Sequence, residues 1–304
     1  MTPADLIVVA GEALVDLVPC EDGSLAPLPG GGPFNTARAL ARLERPVAYL
    51  GRLSTDRFGE AMADALTEDG VRMDAVVRTV DPTTLALAEL DARGSAQYRF
   101  YTEGTSVPGL TEADALAAPE CGVLHLGTLG LVLEPIASSL EALACKKGDS
   151  PRSCMLDPNV RPSAIPDEAA YRARLDRLLA VTDVVKVSDE DLAYLVPDAP
   201  PEAAARSLLE KGPRVILLTR GGEGAVALGS FGARHVPAPP VRVVDTIGAG
   251  DAFSGGFLAR WRPGDDLGDG DLVEAATAFA CRVAALTCAR AGADPPRLAE
   301  FIPG

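Results

Sequence analysis

Positive charge is scarce in this chain. Its 304 residues carry 28 Lys and Arg against 43 Asp and Glu, a formal net charge of −15. A surface of that sign repels phosphodiester backbones and anionic lipid, which excludes a broad nucleic-acid or membrane interface, and its ordinary consequence is solubility. Long apolar runs are missing too. The first, residues 6–10, is interrupted by Gly11 and Glu12, and nothing approaches the ~18 residues of a membrane span. No Lys or Arg precedes Arg38, so the basic start of an export signal is absent and a cytoplasmic protein is expected. Histidine is confined to His125 and His235, which stand apart, and Cys20, Cys121, Cys145, Cys154, Cys281 and Cys288 show no C-x-x-C spacing. That gives no framework for a zinc centre or a redox pair, and free thiols in a reducing compartment are expected. Two nucleotide-binding patterns are absent as well. There is no G-x-x-x-x-G-K-[ST] loop, and G-x-G-x-x-G fails at Gly248 because Phe253 occupies its last position. A P-loop kinase and a dinucleotide-dependent oxidoreductase are excluded on those grounds.

What is present fits an α/β protein. Apolar residues make up 47% of the chain, ample for a buried core. Near-continuous apolar runs at 6–10, 47–50, 123–126, 154–156, 184–187 and 215–219 read as strands buried on both faces. Segments 35–43, 58–68, 136–145, 171–180, 201–210, 251–260 and 271–289 are helix-like. Their alternation predicts βαβ units around a mainly parallel sheet flanked by helices. The alternation breaks once, where β-like stretches 85–90 and 96–101 flank a turn sequence at 91–95 and read as a hairpin. Residues 13–28 offer similar extended material around Glu21, Asp22 and Gly23. No internal repeat or long low-complexity linker is found.

Three glycine-rich junctions carry the chemistry. In the first, Asp245-Thr246-Ile247-Gly248-Ala249-Gly250-Asp251, the residues Val241, Val243 and Val244 read as a strand and Ala252, Phe253, Phe257 and Leu258 as a helix starting at or near Asp251. The unpaired N–H groups of such a first turn, with the helix dipole behind them, attract a phosphate, and glycine lets the backbone approach it. A carboxylate aimed at that phosphate would be repelled, so its presence suits a general base that takes the proton of an attacking hydroxyl. A plain helix cap is the alternative. In the second, Gly30-Gly31-Gly32-Pro33-Phe34-Asn35 opens another helix, with Asn35 in its first turn able to bond two hydroxyls at once. In the third, Thr219, Gly221, Gly222 and Gly224 follow an apolar strand, at the strand end where open α/β sheets bind ligands; the alternative is a tight turn.

GGGPFNTARAL and DTIGAGDAFSGGFLA together resemble the two signatures of the ribokinase-like carbohydrate kinases, also called the phosphofructokinase-B family. Gly11-Glu12-Ala13-Leu14-Val15-Asp16, Asp157-Pro158-Asn159-Val160-Arg161, Lys186-Val187-Ser188-Asp189-Glu190-Asp191 and Thr219-Arg220-Gly221-Gly222-Glu223-Gly224 fall in the family's order between and around them. The resemblance implies one kinase domain over residues 1–304, with segments of about 12–30 and 76–104 forming a small β-sheet lid that also serves a homodimer. It implies transfer of the γ-phosphoryl of ATP to a primary sugar hydroxyl, with Asp251 as base and the backbone of Gly248, Ala249 and Gly250 as anion hole. Asp16, Gly30, Gly31 and Asn35 would bind the sugar, and Asn159 and Arg161 match a motif near the phosphates or an acidic substrate. Ser188, Thr219, Gly221, Gly222, Gly224, Gly248 and Gly250 would face the nucleotide. Many members organise Mg²⁺ through water with an Asn-x-x-Glu motif, where this chain has Ser188 and Asp191; Ser188 as cap of the following helix is the plain alternative. A monovalent cation such as K⁺ belongs to the same expectation. GEALVDLVP, YRFYTEGTS and DPNVRP look closest to the fructokinase branch, so fructose is the expected acceptor. The competitor is 2-keto-3-deoxygluconate, whose carboxylate would need Arg99 or Arg161, and the remote alternative is a non-catalytic sugar-binding regulator.

Overall fold

A computed structural model describes residues 2–20, 22–90, 96–146 and 152–301. The strands are β1 (Ile7–Ala10), β2 (Leu14–Pro19), β3 (Leu25–Gly30), β4 (Val47–Ser54), β5 (Val76–Thr79), β6 (Leu85–Leu90), β7 (Ala96–Tyr101), β8 (Val123–Gly127), β9 (Ser153–Asp157), β10 (Val184–Ser188), β11 (Val215–Thr219), β12 (Ala225–Gly229) and β13 (Gly232–Val236). The α-helices are α1 (Gly32–Arg42), α2 (Arg57–Asp69), α3 (Glu112–Leu116), α4 (Ile136–Cys145), α5 (Glu168–Leu179), α6 (Asp189–Leu195), α7 (Pro201–Leu209), α8 (Ala249–Arg260) and α9 (Gly270–Cys288). A nine-stranded sheet has the order β13-β12-β11-β10-β9-β8-β1-β4-β5, and a four-stranded sheet the order β3-β2-β6-β7. From β11 to β5 the large sheet is parallel, as expected; only β12 and β13 run antiparallel, at one edge.

Alternation along each central strand builds two cores. On β1, Val8 and Ala10 belong to one core with Leu140 of α4, Leu175 of α5 and Leu208 of α7, while Ile7 and Val9 belong to the other with Phe34 of α1, Leu66 of α2, Phe257 of α8 and Ala280 of α9. Successive side chains point to opposite faces, so an apolar strand demands helices on both sides. Two expectations fail. Val241, Val243 and Val244 form no strand: Val243 and Val244 are each 59% exposed, and the Val244 N–H donates 2.8 Å to the Cys288 carbonyl at the end of α9. The Cys288 carbonyl also accepts from the Asp245 N–H at 3.2 Å, so this backbone is held by the end of α9 and not by a neighbouring strand. The second expected lid segment is also too long at its start, because Val76–Thr79 pairs with β4 at the edge of the large sheet. The hairpin turn at 91–95 and Glu21 lie outside the described residues.

Helix α8 is buried nearly all round, from Asp251 to Leu258. Its glycines allow this. A Cβ on Gly255 would lie 2.7 Å from Ala39 Cβ of α1, and one on Gly256 would lie 2.8 Å from Ala280 Cα of α9. Gly256→Ala gains about 1 kcal/mol of helix propensity, but forcing backbones apart costs about 1–3 kcal/mol. A net loss of stability is expected in urea denaturation; a raised midpoint would show that α8 and α9 have room to spare.

Candidate active site

The carboxyl ends of β1, β8, β9 and β10 open into a cleft of about 270 Å³. Helices α1 and α8 point their N-termini at it, and the small sheet covers it through Leu14, Asp16, Tyr98 and Phe100. Gly248 caps α8 with φ +74°, a left-handed conformation that glycine adopts without penalty. Ala293 also packs so closely that a Cβ on Gly248 would come within 2.5 Å of it. The helix begins at Ala249, two residues before the expected start, so Asp251 lies inside the first turn.

Asp251 is 9% exposed. Asn35 Nδ2 donates to its Oδ2 at 2.9 Å, and Thr36 Oγ1 donates to its carbonyl at 3.2 Å, joining the starts of α1 and α8. The other oxygen, Oδ1, faces Gly32, where a Cβ would stand 3.2 Å away. Burial raises the carboxyl above its ordinary value, opposed by the Asn35 hydrogen bond and by Lys186 and Arg161. Asn35 Oδ1 is buried without a hydrogen-bond partner among the described residues, an acceptor that a ligand hydroxyl would satisfy.

Asp16 projects from β2, and Gly30 on β3 makes room for it: a Cβ there would meet Asp16 Oδ2 at 2.2 Å. Burial and the nearby Asp251 charge push the Asp16 carboxyl up to about 6, with Arg161 opposing. Gly31, at φ +107°, could carry no Cβ without striking the Glu12 carbonyl at 2.6 Å. Arg161 lines the cleft and donates through Nη1 to the carbonyls of Asn159, at 3.2 Å, and Val160, at 3.1 Å. Asn159 in turn donates to Thr128 Oγ1 at 3.3 Å, and both residues hold positive φ, +39° and +51°.

The structure moves several expected residues away from the cleft. Arg99 is exposed and does not line it, because strand alternation gives the inner positions to Tyr98 and Phe100. Ala249 does not line it either; its N–H bonds back to the Thr246 carbonyl at 3.2 Å, which leaves Gly248 and Gly250 as the wall. Thr219, Gly221, Gly222 and Gly224 sit farther along the same sheet edge, with Thr219 in register with Ser188 on the neighbouring strand. Ser188 caps α6, and Asp191 completes the box: Ser188 N–H and Oγ donate to its Oδ2, and the Val160 N–H donates to its Oδ1. Asp191 therefore braces the turn before Arg161. Among the described residues no group of three or more His, Cys, Asp or Glu is placed to hold a metal ion.

Two charged residues of the cleft were not singled out from the sequence. Glu12 accepts from Gly32 N–H at 3.0 Å and Gly130 N–H at 3.1 Å, and burial pushes it up to about 8. Lys186, 4% exposed on β10, pairs with the buried Asp157 of β9. A lysine inside the apolar run 184–187 was the available signal.

Residues 4–299 match the pfkB family of carbohydrate kinases. A fructokinase of Rhizobium leguminosarum bv. trifolii is 38% identical over 259 residues, covering 84% of this chain and 79% of its own. Fructokinase of Xylella fastidiosa solved with bound ATP superposes with a TM-score of 0.88 at 28% identity, covering 98% of this chain and 97% of its own. A double mutant of Vibrio cholerae O395 fructokinase, solved with fructose, ADP and potassium ion, gives 0.86 at 27% identity, covering 96% and 94%. With both glycine loops meeting at Asp251 in a fold shared over nearly the whole chain, this protein belongs to the pfkB family of carbohydrate kinases.

Proposed function

We propose that the chain transfers the γ-phosphoryl of ATP to a primary hydroxyl of fructose, acting as one kinase domain with the small sheet as its lid. The observation that carries this is the Asp251 carboxylate, fixed by Asn35 inside the first turn of α8 with Oδ1 toward the cleft. A sugar hydroxyl beside Oδ1 loses its proton to Asp251 as its oxygen bonds to phosphorus. The bond from phosphorus to the ADP oxygen breaks and the electron pair leaves with ADP. The α8 dipole and the bare backbone of Gly248 and Gly250 face the charge of the transferred group. Tyr98 and Phe100 on the lid exclude water that would otherwise accept the phosphoryl.

Electrostatics favours a neutral acceptor over 2-keto-3-deoxygluconate. Asp16 and Asp251 line the cleft, Arg99 lies outside it, Arg161 is held by its own backbone next to Asp16, and Lys186 is paired with Asp157. An added sugar carboxylate would enter an acidic pocket with few cations to offset it. The fructokinases among the relatives support the same choice. Magnesium would enter on the ATP phosphates, where waters and one or two carboxylates suffice to hold it, with Asp191 the candidate to reach it through water. Potassium bound to the Vibrio cholerae fructokinase supports a monovalent cation here as well. Exposed Leu25 and Tyr101 on the small sheet support a homodimer through the lid, and free thiols at Cys20 and Cys145 suit the cytoplasm.

Asp251→Asn is expected to keep the fold and ATP affinity and to lose about 10²–10⁴-fold in kcat; activity within a few-fold of wild type would remove it from the mechanism. Asp16→Ala and Asn35→Ala are expected to raise the KM for fructose by about 5- to 150-fold each, the equivalent of about 1–3 kcal/mol, while the KM for ATP stays nearly constant. Equal weakening of both substrates would point to general damage. The acid limb of kcat/KM reports on ionised carboxylates of the free enzyme. It is expected near pH 6, the value to which Asp16 is raised. A limb near the ordinary carboxylate range would contradict the buried, mutually repelling arrangement of Asp16 and Asp251. Robust turnover of 2-keto-3-deoxygluconate with none of fructose would overturn the choice of sugar alone.

A further inference from the structure

Lys186 is the cation least expected from its surroundings. It stands in β10 between Val185 and Val187, which pack into the core on the α4 to α7 side, so its own side chain points to the α8 side with Val184. Its Nζ lies 3.1 and 3.3 Å from the two oxygens of Asp157, itself buried. A buried pair of this kind is a poor device for stability, since apolar residues of similar size do as well or better. Position explains it better. Lys186 lines the cleft, and a Cβ on Gly250 would stand 2.9 Å from Nζ, so the ammonium faces the backbone at the start of α8. An ammonium has three donors, and Asp157 alone accepts from it among the described residues.

We infer that Lys186 is a catalytic residue, donating to an oxygen of the γ-phosphoryl as it passes in front of Gly250, with Asp157 as the positioning residue that aims it. The inference rests on the kinase reading above and extends it to the phosphoryl group. The cleft needs such a group: the carboxylates of Asp16 and Asp251 repel a polyphosphate, and Lys186 and Arg161 are the cations among its lining residues. Burial opposes the charge on Lys186, but Asp157, Asp191 and Asp251 outweigh it and hold the ammonium protonated. During transfer the sugar oxygen to phosphorus bond forms, the bond to the ADP oxygen breaks with its pair leaving on ADP, and the hydroxyl proton goes to Asp251. Lys186 keeps all its protons and stabilises negative charge on the moving group.

The test compares Lys186→Met with wild type in ADP-release kinetics on fructose and in equilibrium binding of ADP and of the non-hydrolysable β,γ-imido analogue of ATP. Expected are a fall in kcat of about 10²–10³-fold and a fructose KM within about 3-fold of wild type. The imido analogue is expected to bind at least about 10-fold more weakly and ADP within about 2-fold of wild type. Should the single variant fail to fold because Asp157 is left unpaired, Lys186→Met/Asp157→Asn removes both charges and is read the same way. A folded variant with kcat within about 3-fold of wild type, or parallel losses for ADP and the analogue, overturns the assignment. If wild type itself leaves fructose untouched, the substrate reading falls, and the contrast between ADP and the analogue still decides the role of Lys186.

Discussion

A carboxylate buried at a helix start has to be held without becoming protonated or swinging away, and the Asn35 to Asp251 hydrogen bond meets that constraint. The start of α8 attracts anions through its dipole, yet burial works against the charge of Asp251. Donation from Asn35 at 2.9 Å favours the ionised form and fixes which oxygen is left for the acceptor. Much of the surrounding architecture follows from bringing α1 and α8 close enough for this contact. Thr36 adds a second bond across the same junction, and small residues line the seam, with Gly255 of α8 against Ala39 of α1.

Elements were legible wherever a local signal matched the tertiary outcome. Every apolar run read as a strand of the large sheet is one, and the expected helices recur within a few residues at their ends, because strands buried on both faces leave an unmistakable composition. The valines before Asp245 misled for the opposite reason. Branched residues favour extended backbone, but a strand also needs a partner, and the backbone at Val244 is held instead by the end of α9. Asp251, Asn35, Asp16, Gly31 and Arg161 could be named in advance because glycine loops mark helix starts and resemblance supplied their roles, and the fold brings them into one cleft.

What stayed hidden depends on distance in sequence. Glu12 bridges Gly32 and Gly130, and the Lys186 to Asp157 pair joins neighbouring strands; no spacing rule announces either contact. Arg99 shows the reverse error. A period of two along β7 forces a choice between Arg99 and its neighbours, and the pocket takes Tyr98 and Phe100. The side of that choice could be settled only by knowing which face of β7 the large domain covers.

Rigidity and adaptability are divided between the two sheets. Asp251, the glycine turn and Lys186 rest on α8 and the central strands, whose packing tolerates little displacement: Cβ atoms at Gly248, Gly255 and Gly256 would all fall within 3 Å of neighbours. The small sheet joins this body through a much smaller apolar cluster of Leu14, Ala86 and Leu129, with Tyr98 and Phe100 packed against it. Small clusters open at lower free-energy cost than a main core. On the proposed function, acceptor entry would move the small sheet while Asp251, the glycine turn and Lys186 keep their geometry. By the same division, and on the same proposal, substitutions at Tyr98 and Phe100 on the small sheet would alter which sugar is accepted without disturbing Asp251 and the glycine turn.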